Sequence, residues 1–256
     1  MKTKSRSLAA VVAAGALLAA IVIPSVAGAN HSWGNYHWAR TSNPFTLKLG
    51  NNTSGTWTGH LATVSSDWSQ SAVLDTTVVA GGTRAKNCRP TSGRVEVCNA
   101  SYGNNGWLGV AQIWVSGGHI TQGAVKNNDY YFGNSAYRYN NEAEKLHVIC
   151  QEVGHTLGLD HQSEDGSSLN TCMDYYHNTS ANDTLSTHPN QHDYDQLATI
   201  YSHLDSKTTV ASSAVSANSP GEWGKLVSSS RDGRSSTYER EFRGGVRIVT
   251  LVIWAP

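Results

Sequence analysis

Three features of the sequence predict an α+β fold, with one mixed sheet and helices packed on it. Strand-like and helix-like segments follow in the order β-α-β-β between residues 44 and 126. One amphipathic helix with a readable start and stop lies over residues 141–158. Composition agrees, since Gly 24, Trp 8 and Tyr 11 in 256 residues suit neither a long-helix protein nor a disordered chain. Lys+Arg and Asp+Glu balance at 19 each, which leaves no basic excess to neutralise phosphates and argues against nucleic acid as a partner.

Pro44 to Leu49 (PFTLKL) alternates as a strand does and ends at Gly50-Asn51-Asn52. Trp57 to Ser71 carries Leu61, Val64 and Trp68 at helical spacing and predicts a surface helix. Val73 to Ala80 is a β-rich run stopped by Gly81-Gly82, and further strands are predicted at Leu108–Val115 and Ile120–Lys126. Asn141, with Glu144 three residues on, reads as a capping box. Leu146, Ile149, Cys150, Val153 and Leu157 then share one stripe, and Gly158 is where such a helix stops. A second helix is predicted at Asp193 to Leu204. Residues 206–220 are rich in Ser, Thr and Ala and read as a linker. The extension 221–256 ends in an apolar strand-like run, Val246 to Trp254, too short to span a membrane.

Lys2, Lys4 and Arg6 precede an uncharged apolar run from Leu8 to Ile23, and Ala27-Gly28-Ala29 supplies the small residues a signal peptidase reads. Residues 1–29 are therefore expected to be a signal peptide, cleaved after Ala29, and the protein to be secreted. Cleavage removes three positive charges and no negative ones, leaving 16 basic against 19 acidic side chains. Export makes the four cysteines readable as disulfides. Sequence proximity favours Cys88 with Cys98, closing a small hairpin, and leaves Cys150 with Cys172. No C-x-x-C spacing points to a cysteine metal site.

On the helix, Gln151 and His155 lie one turn apart on the face opposite the apolar stripe, with Glu152 beside them. Gly158 turns the chain and His161 returns three residues later. The pattern H-E-x-x-H-x-x-G-x-x-H, followed by a Met-turn, has five fixed positions; Glu152, His155, Gly158 and His161 meet four of them. Cys172-Met173-Asp174-Tyr175 places Met173 at a plausible Met-turn distance. On these residues the chain resembles the metzincin zinc peptidases, and more loosely the matrixin-like extracellular peptidase domains of bacteria, over residues 44–204.

The resemblance implies a twisted mixed five-stranded sheet with two long helices, a zinc cleft and a smaller C-terminal subdomain. It implies a peptidase domain over 30–205, one catalytic Zn2+ and Glu152 as general base. Tyr175, two residues after the Met, is a candidate fifth ligand and oxyanion donor. A protein or peptide substrate is expected to lie along an edge strand, Leu108–Val115 or Ile120–Lys126, of a monomeric chain with no membrane contact after signal removal.

The first ligand position holds Gln151 where the pattern has His. Gln151 can bind zinc through its amide oxygen, a weaker donor than imidazole. His147 can substitute, but it sits two turns from His155, about 12 Å at 1.5 Å per residue. Alternatively the site is degenerate and the protein binds rather than cuts. Acidic residues around Asp165-Gly166 offer oxygens for calcium, but without the spacing of an EF-hand loop. His177, His188 and His192 read as surface or local structure.

Overall fold

The computed structural model describes residues 31–209 and 222–255. The signal peptide expected at 1–29 and residues 210–220 of the expected linker lie outside these. In chain order the elements begin with β1 (His37–Trp38), β2 (Phe45–Asn52), α1 (Trp57–Trp68), β3 (Leu74–Ala80) and β4 (Val95–Ala100). Next come β5 (Trp107–Ser116), β6 (His119–Asn128), α2 (Asp129–Phe132), α3 (Glu142–Thr156) and α4 (Gln191–Ile200). The C-terminal segment supplies β7 (Lys225–Ser229), β8 (Ser235–Glu241) and β9 (Val246–Trp254).

The fold is mixed α+β, built on one nine-stranded sheet in the order β3-β2-β4-β6-β5-β9-β8-β7, with the short β1 beside β6. Pairs β2–β3, β2–β4 and β4–β6 are parallel, and every pair from β6–β5 to β8–β7 is antiparallel. Helix α1 makes the crossover that the parallel pair β2–β3 needs.

The sheet has nine strands where five were expected. β9 pairs with β5 from Trp107↔Trp254 to Ser116↔Val246, so the C-terminal extension continues the main sheet. The physical reason is in β9 itself, which is apolar on both faces. Val249, Leu251 and Ile253 join the core that α1 and α3 cover. Ile248 and Val252 face the opposite side, where they pack with Trp107, Trp114 and Trp223. A strand apolar on both faces is stable only inside a sheet. The edge expected for substrate is therefore taken: β6 lies between β4 and β5, and β5 lies between β6 and β9.

Helix α3 starts where expected, with the Asn141 side chain accepting from the Glu144 backbone N–H at 3.0 Å. The reciprocal half of the box is not made. The Glu144 carboxylate accepts from the Asn178 backbone instead and pairs with His177. Ile149, Cys150, Val153 and Leu157 enter the core, with Leu146 packed at its border. The opposite face is buried as well, and every residue from His147 to Thr156 is inside. Both expected disulfides are present, Cys88–Cys98 and Cys150–Cys172. The segment ahead of Cys98 is a loop leading into β4, not a hairpin. No helix among the described residues is long and apolar enough to cross a membrane.

Candidate metal centre

The last turn of α3 and the chain returning from it build the site. Gly158 has φ +100°, and a Cβ there would stand 2.4 Å from the Tyr36 carbonyl oxygen, so only glycine fits the turn. The His155 Nδ1 lies 2.9 Å from the Leu159 carbonyl oxygen. A carbonyl can only accept, so Nδ1 carries the proton and Nε2 keeps its lone pair. That Nε2 is 3.0 Å from the Nε2 of His161. Two ligands of one tetrahedral zinc are about 3.3 Å apart, given bonds of about 2.0–2.1 Å. Burial, and the neighbouring His161, hold His155 well below the usual imidazole range, so it stays neutral and able to coordinate.

Gln151 donates its amide Nε2 to the Asp174 carbonyl oxygen at 2.6 Å. The donor end of the amide is thereby committed, and the carbonyl oxygen is the end left to ligate. His147 does not reach the pair. Its two nitrogens face Asn178 Oδ1 and the Asp174 carbonyl oxygen, at 3.1 and 3.2 Å, and it is a structural residue.

Glu152 is fully buried, and neither carboxylate oxygen has a hydrogen-bond partner of good geometry. Burial pushes its pKa well above the usual carboxylate range, only partly offset by the Ala111 backbone. Its carboxylate leans on Gly109 of β5, where a Cβ would meet Oε1 at 2.5 Å. Met173 packs under α3 against Gly154, where an added Cβ would be 2.5 Å from its Sδ. The Cys150–Cys172 bridge ties that floor to the helix.

Tyr175 stands on the outer side of His161, its hydroxyl 2.7 Å from Nδ1 rather than beside the paired Nε2 atoms. Burial, then Glu164, pushes the phenol pKa far up, so the hydroxyl stays protonated. The same hydroxyl bonds to Ser235 of β8, and Arg234 Nη1 donates to the Tyr175 carbonyl oxygen at 3.2 Å. The C-terminal hairpin thus closes over the centre. Beside Gln151 and Tyr175, under Arg234 and Ile253, only about 10 Å³ remains, roughly the space of one water. An open cleft of about 510 Å³ begins just outside, between Glu164 and Asp165 on one side and Arg231 and Asp232 on the other.

Asp165 spends its Oδ1 on the Ser163 hydroxyl and on Ser167 within its own loop, and among the described residues no His/Cys/Asp/Glu group spaced to hold a metal includes it. Two His/His/Asp groups among the described residues do have the spacing to hold a metal ion. In one, His31, His192 and Asp193, the carboxylate is already occupied. It accepts from the Asn190 backbone and Thr171 and faces His31 at 3.0 Å, as part of the α4 capping box. The other is His37, His203 and Asp205. Neither carried a sequence signal, because their members are far apart in the chain.

No protein-family model matches the chain, and no curated protein matches its sequence.

Proposed function

We propose that the protein is a secreted, zinc-dependent endopeptidase of metzincin type, latent in the closed form described here. The observation that carries this reading is the convergence of His155 Nε2 and His161 Nε2 at 3.0 Å, on the helix that also carries the fully buried Glu152. An interior carboxylate costs several kcal/mol unless a partner completes it. The donor set suits zinc: two imidazoles with the Gln151 amide oxygen as third ligand.

A zinc ion held there supplies a Lewis acid that activates water and polarises the scissile carbonyl. Glu152 takes the proton from the attacking water, holds it at its carboxylate, and passes it to the amine nitrogen as the C–N bond breaks. The Tyr175 hydroxyl and the Leu159 carbonyl oxygen orient His161 and His155 from behind. Substrate reaches these groups once the hairpin around Arg234 and Ser235 moves off Tyr175, through the adjoining cleft.

The test is hydrolysis of unfolded casein by the zinc-loaded chain, by its Arg234→Ala/Ser235→Ala form, and by each with Glu152→Ala added. Glu152→Ala is expected to lower the rate about 10²–10⁴-fold with zinc content retained. Equal hydrolysis with and without Glu152 overturns the mechanism. A second reading, a secreted binding protein on a degenerate peptidase scaffold, is favoured by Gln151 and by the closure of the centre under β8. It predicts no hydrolysis by any form and a stability indifferent to chelators.

A further inference from the structure

We infer that His37, His203 and Asp205, with His119 beside them, form a second metal site that takes a zinc-class divalent cation. It is independent of the peptidase reading and lies on the strand end formed by β1 and the start of β6, where the chain leaving α4 returns. His37 Nε2 and His203 Nε2 are 3.2 Å apart, and Asp205 Oδ1 is 3.6 Å from the first and 3.8 Å from the second. A triangle with those sides has its centre about 2.05 Å from each corner, within the range of zinc–ligand bonds. His119 Nε2 is 3.1 Å from the same Oδ1 and flanks the group from outside, which leaves the fourth position of a tetrahedral zinc to water.

The surroundings orient the donors. Arg40 takes the other carboxylate oxygen, through Nη1 at 2.9 Å and its backbone N–H at 3.1 Å, which turns Oδ1 to the histidines. The Asn35 carbonyl oxygen lies 2.8 Å from His37 Nδ1, which places the proton there and leaves the Nε2 lone pair free. Without a cation the groups pair among themselves, His203 donating to His37 Nε2 and His119 to Asp205 Oδ1. A cation would draw the lone pairs of His37, His203 and Asp205 to one point. The side chain of His203 is 53 % exposed, against 12 % for His37 and 11 % for Asp205, so an ion can enter from solvent. Bound metal would pin the start of the domain, at β1, to its end beyond α4.

The test is a Co2+ and Zn2+ titration of the His155→Ala/His161→Ala chain, in which the first centre is gone. One ion per chain, with the intense visible absorption of tetrahedral Co2+, is expected. Adding His203→Ala or His37→Ala should weaken binding at least about tenfold, in line with loss of a ligand. No uptake, or an affinity indifferent to both substitutions, overturns the proposal. Should the double variant fail to fold, zinc per chain is counted in otherwise wild-type protein. His203→Ala must then lower it by one, and an unchanged count is again fatal.

Discussion

The hydroxyls of Tyr175 and Ser235 meet across the seam between the loop that follows α3 and the C-terminal hairpin. Because the same Tyr175 hydroxyl bonds to His161 Nδ1, the hairpin is one side chain away from the centre. Strand β9 anchors the hairpin along β5, and at the hairpin's near end Ser235 pairs with Ile253 while the Trp254 N–H donates to the Arg234 carbonyl oxygen. The contacts to Tyr175 add to that ladder. Arg234→Ala with Ser235→Ala removes two hydrogen bonds worth about 1 kcal/mol each. We expect faster amide exchange at residues 230–235 and casein hydrolysis raised on the order of tenfold. Unchanged exchange and rate would show that the tip does not gate the centre.

Gln151→His restores an imidazole at the first ligand position. It gives up the bond to the Asp174 carbonyl oxygen, but exchanges an amide oxygen for a stronger zinc ligand. Zinc affinity, measured by competition with a chromophoric chelator, should rise on the order of tenfold or more. A fall would mean that residue 151 does not face the metal.

Gly154 is set by packing. A methyl group there would lie 2.5 Å from Met173 Sδ and 2.7 Å from Trp68 Cζ2, both fully buried. Gly154→Ala should cost about 1–3 kcal/mol from overpacking, outweighing any gain in helix propensity. Urea denaturation reads this directly, and a stabilised variant would contradict the tight floor described beneath α3.

Much of this was legible in the sequence where local pattern decides structure. Val246–Trp254 forms a strand over the residues foreseen, and Asn141 and Gly158 mark the ends of α3 as their chemistry demands. Strand β4 was not foreseen, because VEVCNA carries Glu96 and Asn99 where an apolar pattern is sought. Both are buried, and Glu96 is satisfied by Asn52, the Gly82 backbone and Arg94, partners drawn from three other segments. The pairing of β9 with β5 is likewise invisible to periodicity, which reports faces and not partners. The cluster of His37, His119, His203 and Asp205 spans most of the domain and leaves no spacing to read.

Lys126 gives the protein a characteristic pH dependence. Burial pushes its pKa down to about 8, with Glu222 opposing. Below that pH the ammonium is buried at full cost. Between about pH 8 and 10 the folded chain has released a proton that the unfolded chain still holds, so stability rises with pH. The gain is on the order of 3 kcal/mol over the whole interval. Tyr102, Tyr137 and Tyr201, raised by burial, act in the opposite sense above about pH 10. Urea midpoints at pH 7.5 and 9.5 should show the increase in wild type and its absence in Lys126→Met. A flat wild-type profile would refute it.

The most direct test of the account is the zinc content of the mature His203→Ala chain, which lacks the second site, after exchange into chelator-free buffer. The account predicts one zinc per chain, lost when His155→Ala is added. Far less than one zinc, even after incubation with the metal, would mean that Gln151, His155 and His161 do not hold an ion, and the peptidase reading would fall.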